Sequence, residues 1–165
     1  MSLRPLILLL LLAALVDAGA ALAQDKGSVN PKPLPPLANP NDPKIGAFLK
    51  RGGKVLMWHG WSDAGPSPVG TIAYYDQVQK ATPGAAGAVR LFLLPGVYHC
   101  GGGPGPDQAD WLDALDKWVQ TGQAPPTILA TKRNAKISRP LCPYPTLPHY
   151  QGSGDADDAR NFVCR

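Results

Sequence analysis

The chain has 165 residues, 16 lysines and arginines against 12 acidic residues, a net charge of +4 and three cysteines. That length has room for about one domain, and the basic residues are scattered apart from a small cluster at Lys132, Arg133 and Lys136, without the basic stripe and interleaved aromatics of a nucleic-acid binder. Every acidic residue is an aspartate, so any catalytic carboxylate is an aspartate; no C-x-x-C occurs and the histidines do not fall at metal-ligand spacing, so neither a metal nor another cofactor is expected.

Arg4 is followed by an unbroken apolar run from Leu6 to Val16, and a small-residue stretch then ends in Ala21-Leu22-Ala23. A basic start, a short apolar segment and an A-x-A site predict a secretory signal peptide over residues 1–23. A membrane anchor is the alternative. The run falls short of the roughly 20 residues a span needs, and Asp17 interrupts it. The mature protein is therefore expected to be secreted or periplasmic, with no membrane partner after cleavage. Export implies an oxidising compartment, where cysteines pair. With Cys100, Cys142 and Cys164 the number is odd, so one is left over or pairs outside the chain.

Residues 24–43 carry Pro31, Pro33, Pro35, Pro36, Pro40 and Pro43, which predicts an extended linker with nothing to bury. Val55-Leu56-Met57-Trp58 is a short continuous apolar run, as in a strand covered on both faces of a parallel sheet. A helix follows near Val69 to Lys80, with Ile72, Tyr75 and Val78 on one side and Thr82-Pro83-Gly84 as its stop. Val89 to Leu94 is a second apolar run, ended by Pro95-Gly96. Asp107 is expected to open and cap the next helix, whose stripe reads Trp111, Leu112, Leu115, Trp118 and Val119, with Gly122 as its C-terminal cap. Asp110, in this reading, suits the helix N-terminus. Strand, helix, strand, helix demands a parallel pair with a right-handed crossover. Two parallel strands alone do not make a stable sheet. Beyond Thr131 the pattern is irregular, and Cys142 and Cys164 flank this tail and close it, a crosslink whose loop length is worth roughly 3 kcal/mol.

Two residues of the stretch Gly60-Trp61-Ser62-Asp63-Ala64 invite chemistry. Ser62 is one residue short of the G-x-S-x-G elbow, in which a helix begins immediately after the nucleophile. Pro66 and Pro68 push Gly65 and Ser67 out of helical geometry, so Ser62 is read as a turn residue. Asp63 follows a strand, and His99 follows the next strand. Strand-Asp-helix-strand-His is the order of the closing half of a Ser-Asp-His triad, with the aspartate fixing the tautomer of a histidine that shuttles protons. Spacing alone leaves open a plain loop role for each. His59, at the strand end, is read as structural, and nothing points to chemistry at His149.

These residues carry a family resemblance. Gly52-Gly53-Lys54-Val55 leading into His59-Gly60-Trp61-Ser62-Asp63, then Val89-Arg90-Leu91-Phe92 through Pro95-Gly96-Val97-Tyr98-His99-Cys100-Gly101-Gly102-Gly103-Pro104-Gly105-Pro106, then Arg139-Pro140-Leu141-Cys142-Pro143-Tyr144-Pro145, Gly152-Ser153-Gly154-Asp155 and Asn161-Phe162-Val163-Cys164 resemble the C-terminal portion of the tannase and feruloyl esterase family of α/β-hydrolases. The resemblance covers residues 44–165, nearly all of the chain past the linker. It implies the C-terminal β-α-β-α part of an α/β-hydrolase fold with an irregular, disulfide-closed tail. It also implies a serine carboxylic-ester hydrolase of aromatic or phenolic esters, with Asp63 as triad acid and His99 as triad base. Cys142 and Cys164 look like a family disulfide. Cys100 matches a cysteine that, in the family, is bonded to one directly before the nucleophilic serine.

Family members are several times longer. Their Cys-Ser nucleophile, oxyanion hole, early strands and lid domain with its calcium site lie upstream of the matching region, and this chain contains no Cys-Ser pair. The expectation is a fragment with acid and base but no nucleophile, inactive alone, in which Cys100 is an unpaired thiol beside the catalytic histidine. The implied partners are an aromatic ester and a chain supplying the missing N-terminal strands and Cys-Ser, which would make the protein a complementing subunit. A secreted, non-catalytic binding module is the other reading.

Overall fold

The computed structural model describes residues 41–165. The expected signal peptide and nearly all of the expected linker lie outside the described residues. A short helix, α1 (Gly46–Lys50), precedes strand β1 (Val55–Gly60). Helix α2 (Pro68–Ala81) starts where the sequence demands: Pro68 occupies its first turn, and the Ser67 side chain accepts from the Val69 amide at 3.2 Å. It stops at Thr82, whose hydroxyl donates to the Pro43 carbonyl at 2.7 Å. Strand β2 (Val89–Leu94) then runs parallel to β1, in register from Val55 opposite Val89 to Gly60 opposite Leu94. The expected β-α-β unit is therefore present.

Alternation along the strands sorts the core into two layers. Val89, Leu91 and Leu93 of β2 face α2 and meet Tyr75 and Val78, with Val55 and Met57 of β1 packed beside them. Phe92 and Leu94 face the other way, towards Ile128, Ala130 and Leu141, with Leu56, Trp111 and Ala114 against them. β2 is buried at five of its six positions, whereas β1 is buried only at Gly60. The difference follows from topology: among the described residues β1 pairs only with β2, while the far side of β2 is met at Pro143 and by the Tyr144 amide, which donates to the Leu91 carbonyl at 2.7 Å.

The next helix, α3, is Trp111–Thr121, and it corrects two expectations. Asp110, not Asp107, is its cap: the Asp110 carboxylate accepts from the Asp113 amide at 2.9 Å. Asp107 instead precedes a two-residue strand, β3 (Gln108–Ala109). The buried side of α3 is also narrower than the apolar stripe. Trp118 is fully buried and Trp111 packs on Phe92, but Leu112 is 80% exposed and Val119 is exposed. Adjacent residues on a helix diverge by about 100°, so the face that carries Trp111, Ala114 and Trp118 turns Leu112 and Val119 outward. Lys54 and Arg90 lie 5.8 and 5.7 Å from the Trp118 ring centre, cation contacts worth roughly 0.5–2 kcal/mol each.

The tail is more regular than its composition predicts. Strands β4 (Ile128–Thr131) and β5 (Ser138–Leu141) pair antiparallel, with β3 on the outer side of β4. Strand β6 (Pro148–Tyr150) pairs antiparallel with β7 (Phe162–Cys164). The Cys142–Cys164 disulfide joins the residue after β5 to the end of β7. These strands are three or four residues long, too short for alternation to declare them in sequence.

Candidate active site

The loops that leave the carboxyl ends of β1 and β2 meet, and Gly60 is why. A Cβ at Gly60 would lie 2.4 Å from the Tyr98 carbonyl oxygen and 2.5 Å from that of Val97, closer than real contacts allow. With no side chain there, the Trp61 amide donates to Leu94 at 2.9 Å and the Ser62 amide to Val97 at 3.0 Å. The two loops are thereby stitched together on the way to the next residues, Asp63 and Tyr98-His99.

His99 Nδ1 donates to Asp63 Oδ2 at 2.8 Å. The pairing expected from sequence is therefore present, at the ends of adjacent parallel strands. Asp63 Oδ1 accepts from the Gly65 amide at 2.8 Å, and the aspartate side chain is only 3% exposed. The hydrogen bond from His99 is the largest influence on its carboxyl and holds it below the ordinary value; burial opposes this, while the Gly65 amide and the charges of His99 and His59 add to the lowering. An ionised aspartate accepting at Nδ1 keeps the proton of a neutral imidazole on that nitrogen. Nε2 is then a free base. The His99 side chain is 62% exposed.

Ser62 is exposed, and α2 begins only at Pro68, after the turn that holds Asp63 and Pro66. It does not stand at a strand-to-helix elbow. Cys100 is exposed, carries a free thiol and adopts a left-handed φ of 57° directly after His99. His149 lies on β6, opposite Val163, away from this pair.

Two contributors to the site were not recognised from sequence. His59, read as structural, approaches Asp63 Oδ2 with its Nε2 at 3.2 Å. The signal was its position at the end of β1, four residues before Asp63 and on the strand face that looks at α2. Asp107, expected to cap a helix, braces the glycine loop after His99. Its Oδ2 accepts from the Gly102 amide at 2.7 Å and lies 3.4 Å from Lys132 Nζ, which donates to the Gly103 carbonyl at 2.7 Å. The Gly102 amide is the main reason its carboxyl lies below the ordinary value. Gly101, Gly102 and Gly103 all have positive φ, and a Cβ on Gly103 would lie 2.3 Å from the Gly96 carbonyl oxygen, so the loop folds this tightly only with glycine.

Known proteins resemble this chain over most of its length. A family model described as tannase and feruloyl esterase matches residues 14–165. The chain is 48% identical over 126 residues to the mono(2-hydroxyethyl) terephthalate hydrolase of Piscinibacter sakaiensis, covering 73% of this chain and 21% of that protein. It is 39% identical over 138 residues to a probable feruloyl esterase of Arthroderma benhamiae, covering 78% of this chain and 26% of that one. Among solved structures, feruloyl esterase B from Aspergillus oryzae superposes with a TM-score of 0.68 at 28% identity, over 75% of this chain and 29% of the esterase. The chain thus spans about a quarter of the length of these relatives. With the matched region reaching from residue 14 to the last residue and the Asp63–His99 pair inside it, the chain belongs to the tannase and feruloyl esterase family.

Proposed function

We propose that this chain is the acid–base portion of a secreted serine carboxylic-ester hydrolase acting on aromatic or phenolic esters. The observation that carries the reading is the Asp63–His99 hydrogen bond with the far side of the imidazole open to solvent. In that role His99 Nε2 takes the proton of a serine hydroxyl and returns it to the departing alkoxide. Asp63 holds the ring in its Nδ1–H form and stabilises the imidazolium that forms in between. The substrate class rests on the two relatives named above, a terephthalate monoester hydrolase and a probable feruloyl esterase. The Cys142–Cys164 disulfide fits export to an oxidising compartment.

The nucleophile and oxyanion hole are not among these residues in this reading, so the chain alone performs no acylation. The complementing-subunit reading is favoured over a plain binding module by the outer edge of β1, which is unpaired among the described residues. A six-residue strand with a half-buried apolar face is a template for another strand, and the Cys100 thiol lies exposed beside His99, available to a cysteine of that partner.

The test is hydrolysis of methyl ferulate and methyl gallate by the purified chain. We expect no turnover above buffer. Turnover that survives His99→Ala marks a contaminant. Turnover abolished by Ser62→Ala would overturn the assignment and make Ser62 the nucleophile.

A further inference from the structure

We infer that His59 is a positioning residue for the Asp63–His99 pair, clamped between Thr71 of α2 and the Pro66 carbonyl so that its Nε2 edge stands against Asp63 Oδ2. The inference rests on the acid–base reading above and adds a third member to it.

The geometry gives His59 three partners. Nε2 lies 3.1 Å from the Pro66 carbonyl oxygen and 3.2 Å from Asp63 Oδ2. Nδ1 lies 2.8 Å from Thr71 Oγ1. A carbonyl and an ionised carboxylate only accept, so Nε2 carries the proton; it donates to Pro66 and leaves the positive edge of the ring against Asp63 Oδ2. In the neutral ring Nδ1 is then the acceptor, and the Thr71 hydroxyl is its donor. Each contact fixes the next: the Pro66 carbonyl sets the ring's tautomer, Thr71 holds the ring's orientation, and the ring edge so placed limits rotation of the carboxylate. The Gly65 amide holds the other oxygen at 2.8 Å. Oδ2 therefore takes the His99 hydrogen bond at 2.8 Å and has the His59 Nε2 edge against it at 3.2 Å.

The placement also explains a feature that structure alone leaves idle. His59 stands on the face of β1 that looks at α2, where Val55 and Met57 join the apolar layer. Its side chain is 13% exposed. A polar ring in that row needs partners, and the ones it has are the first turn of α2, the turn before it and the catalytic aspartate. Seating α2 against the end of β1 thus also sets the orientation of Asp63.

A test that does not need ester hydrolysis reads the imidazole nitrogens of the 15N-labelled chain by long-range proton–nitrogen correlation. In the wild type His99 should be mainly the Nδ1–H form. His59→Gln, which keeps an amide donor near the position of Nε2, should retain that form. His59→Leu should lose it, with the Nε2–H form becoming the larger share. Thr71→Val, a change of nearly equal volume, should lower the Nδ1–H share of His99 by an intermediate amount by freeing the His59 ring to turn. An unchanged His99 tautomer in a folded His59→Leu chain would overturn the inference; if that variant does not fold, an unchanged His99 tautomer in Thr71→Val would do so. A wild-type His99 protonated at Nε2 would instead remove the Asp63–His99 reading itself.

Discussion

Asp63 sits at the convergence of several donors rather than in a single pair. Gly65 and His99 hold its two oxygens, and the His59 Nε2 lies 3.2 Å from the oxygen that His99 holds. Its folded carboxyl lies below the ordinary value of 3.8, chiefly through the His99 bond. The sign follows by linkage: a depressed folded pKa gives stability that is present above the unfolded pKa and is lost as pH falls through the folded one. The unfolding stability of the wild type relative to Asp63→Asn, measured by denaturant titration at stepped pH, should be constant from neutral pH to about pH 5 and close only below 3.8. A difference that closes between pH 7 and 5 would mean that Asp63 is not held ionised. At this scale the sequence was informative about a pairing that depends on place after a strand, that of Asp63 with His99. It was uninformative for His59, because a histidine at a strand end gains its meaning from Thr71 and Pro66, which reach it only once α2 has folded back.

The elements divide by how much of their pattern is local. β1, α2 and β2 were legible because a continuous apolar run, a Pro-flanked cap and a Thr-Pro-Gly stop act over a few residues. The start of α3 was misplaced by three residues because Asp107 and Asp110 offer the same local chemistry, and a tertiary partner decides between them. Gly102 and Lys132 claim Asp107, and Asp110 is left to cap. The two aspartates should therefore respond differently. Asp110→Ala should cost about 1 kcal/mol of stability through α3 alone, leaving the loop after His99 unchanged. Asp107→Ala should leave α3 intact but speed amide exchange at Gly101, Gly102 and Gly103, since the Gly102 donor and the Lys132 charge both lose their partner. Equal exchange in the two variants would mean that Asp107 does not brace the loop. The short tail strands were illegible for another reason: β5 contains Pro140, and its pairing with β4 is fixed from outside, by burial of Leu141 and by the disulfide one residue on.

Across the whole molecule, the burial is lopsided. β2 is enclosed, while among the described residues β1 pairs only with β2 and keeps an open edge. Beside that edge Trp58 is 37% exposed and stacks on Trp111, with ring centres 5.6 Å apart and planes 5° from parallel. Parallel sheets are covered on both faces and carry more than two strands, so the surface along β1 has the character of an interior face. The matched part is 21%, 26% and 29% of the length of the three relatives compared. In the proposed complementing role, the edge left open among the described residues and the exposed His99 meet one partner, which brings strands and a serine together. The direct measurement mixes the purified chain with the separately produced upstream portion of the Piscinibacter sakaiensis relative and follows ester hydrolysis alongside complex formation by size-exclusion chromatography. The account predicts that neither piece hydrolyses methyl ferulate or mono(2-hydroxyethyl) terephthalate alone, and that the mixture hydrolyses at least one of them in a way abolished by His99→Ala and strongly reduced by Asp63→Asn. A complex that forms yet hydrolyses neither ester, or one whose turnover is indifferent to His99→Ala, would contradict it.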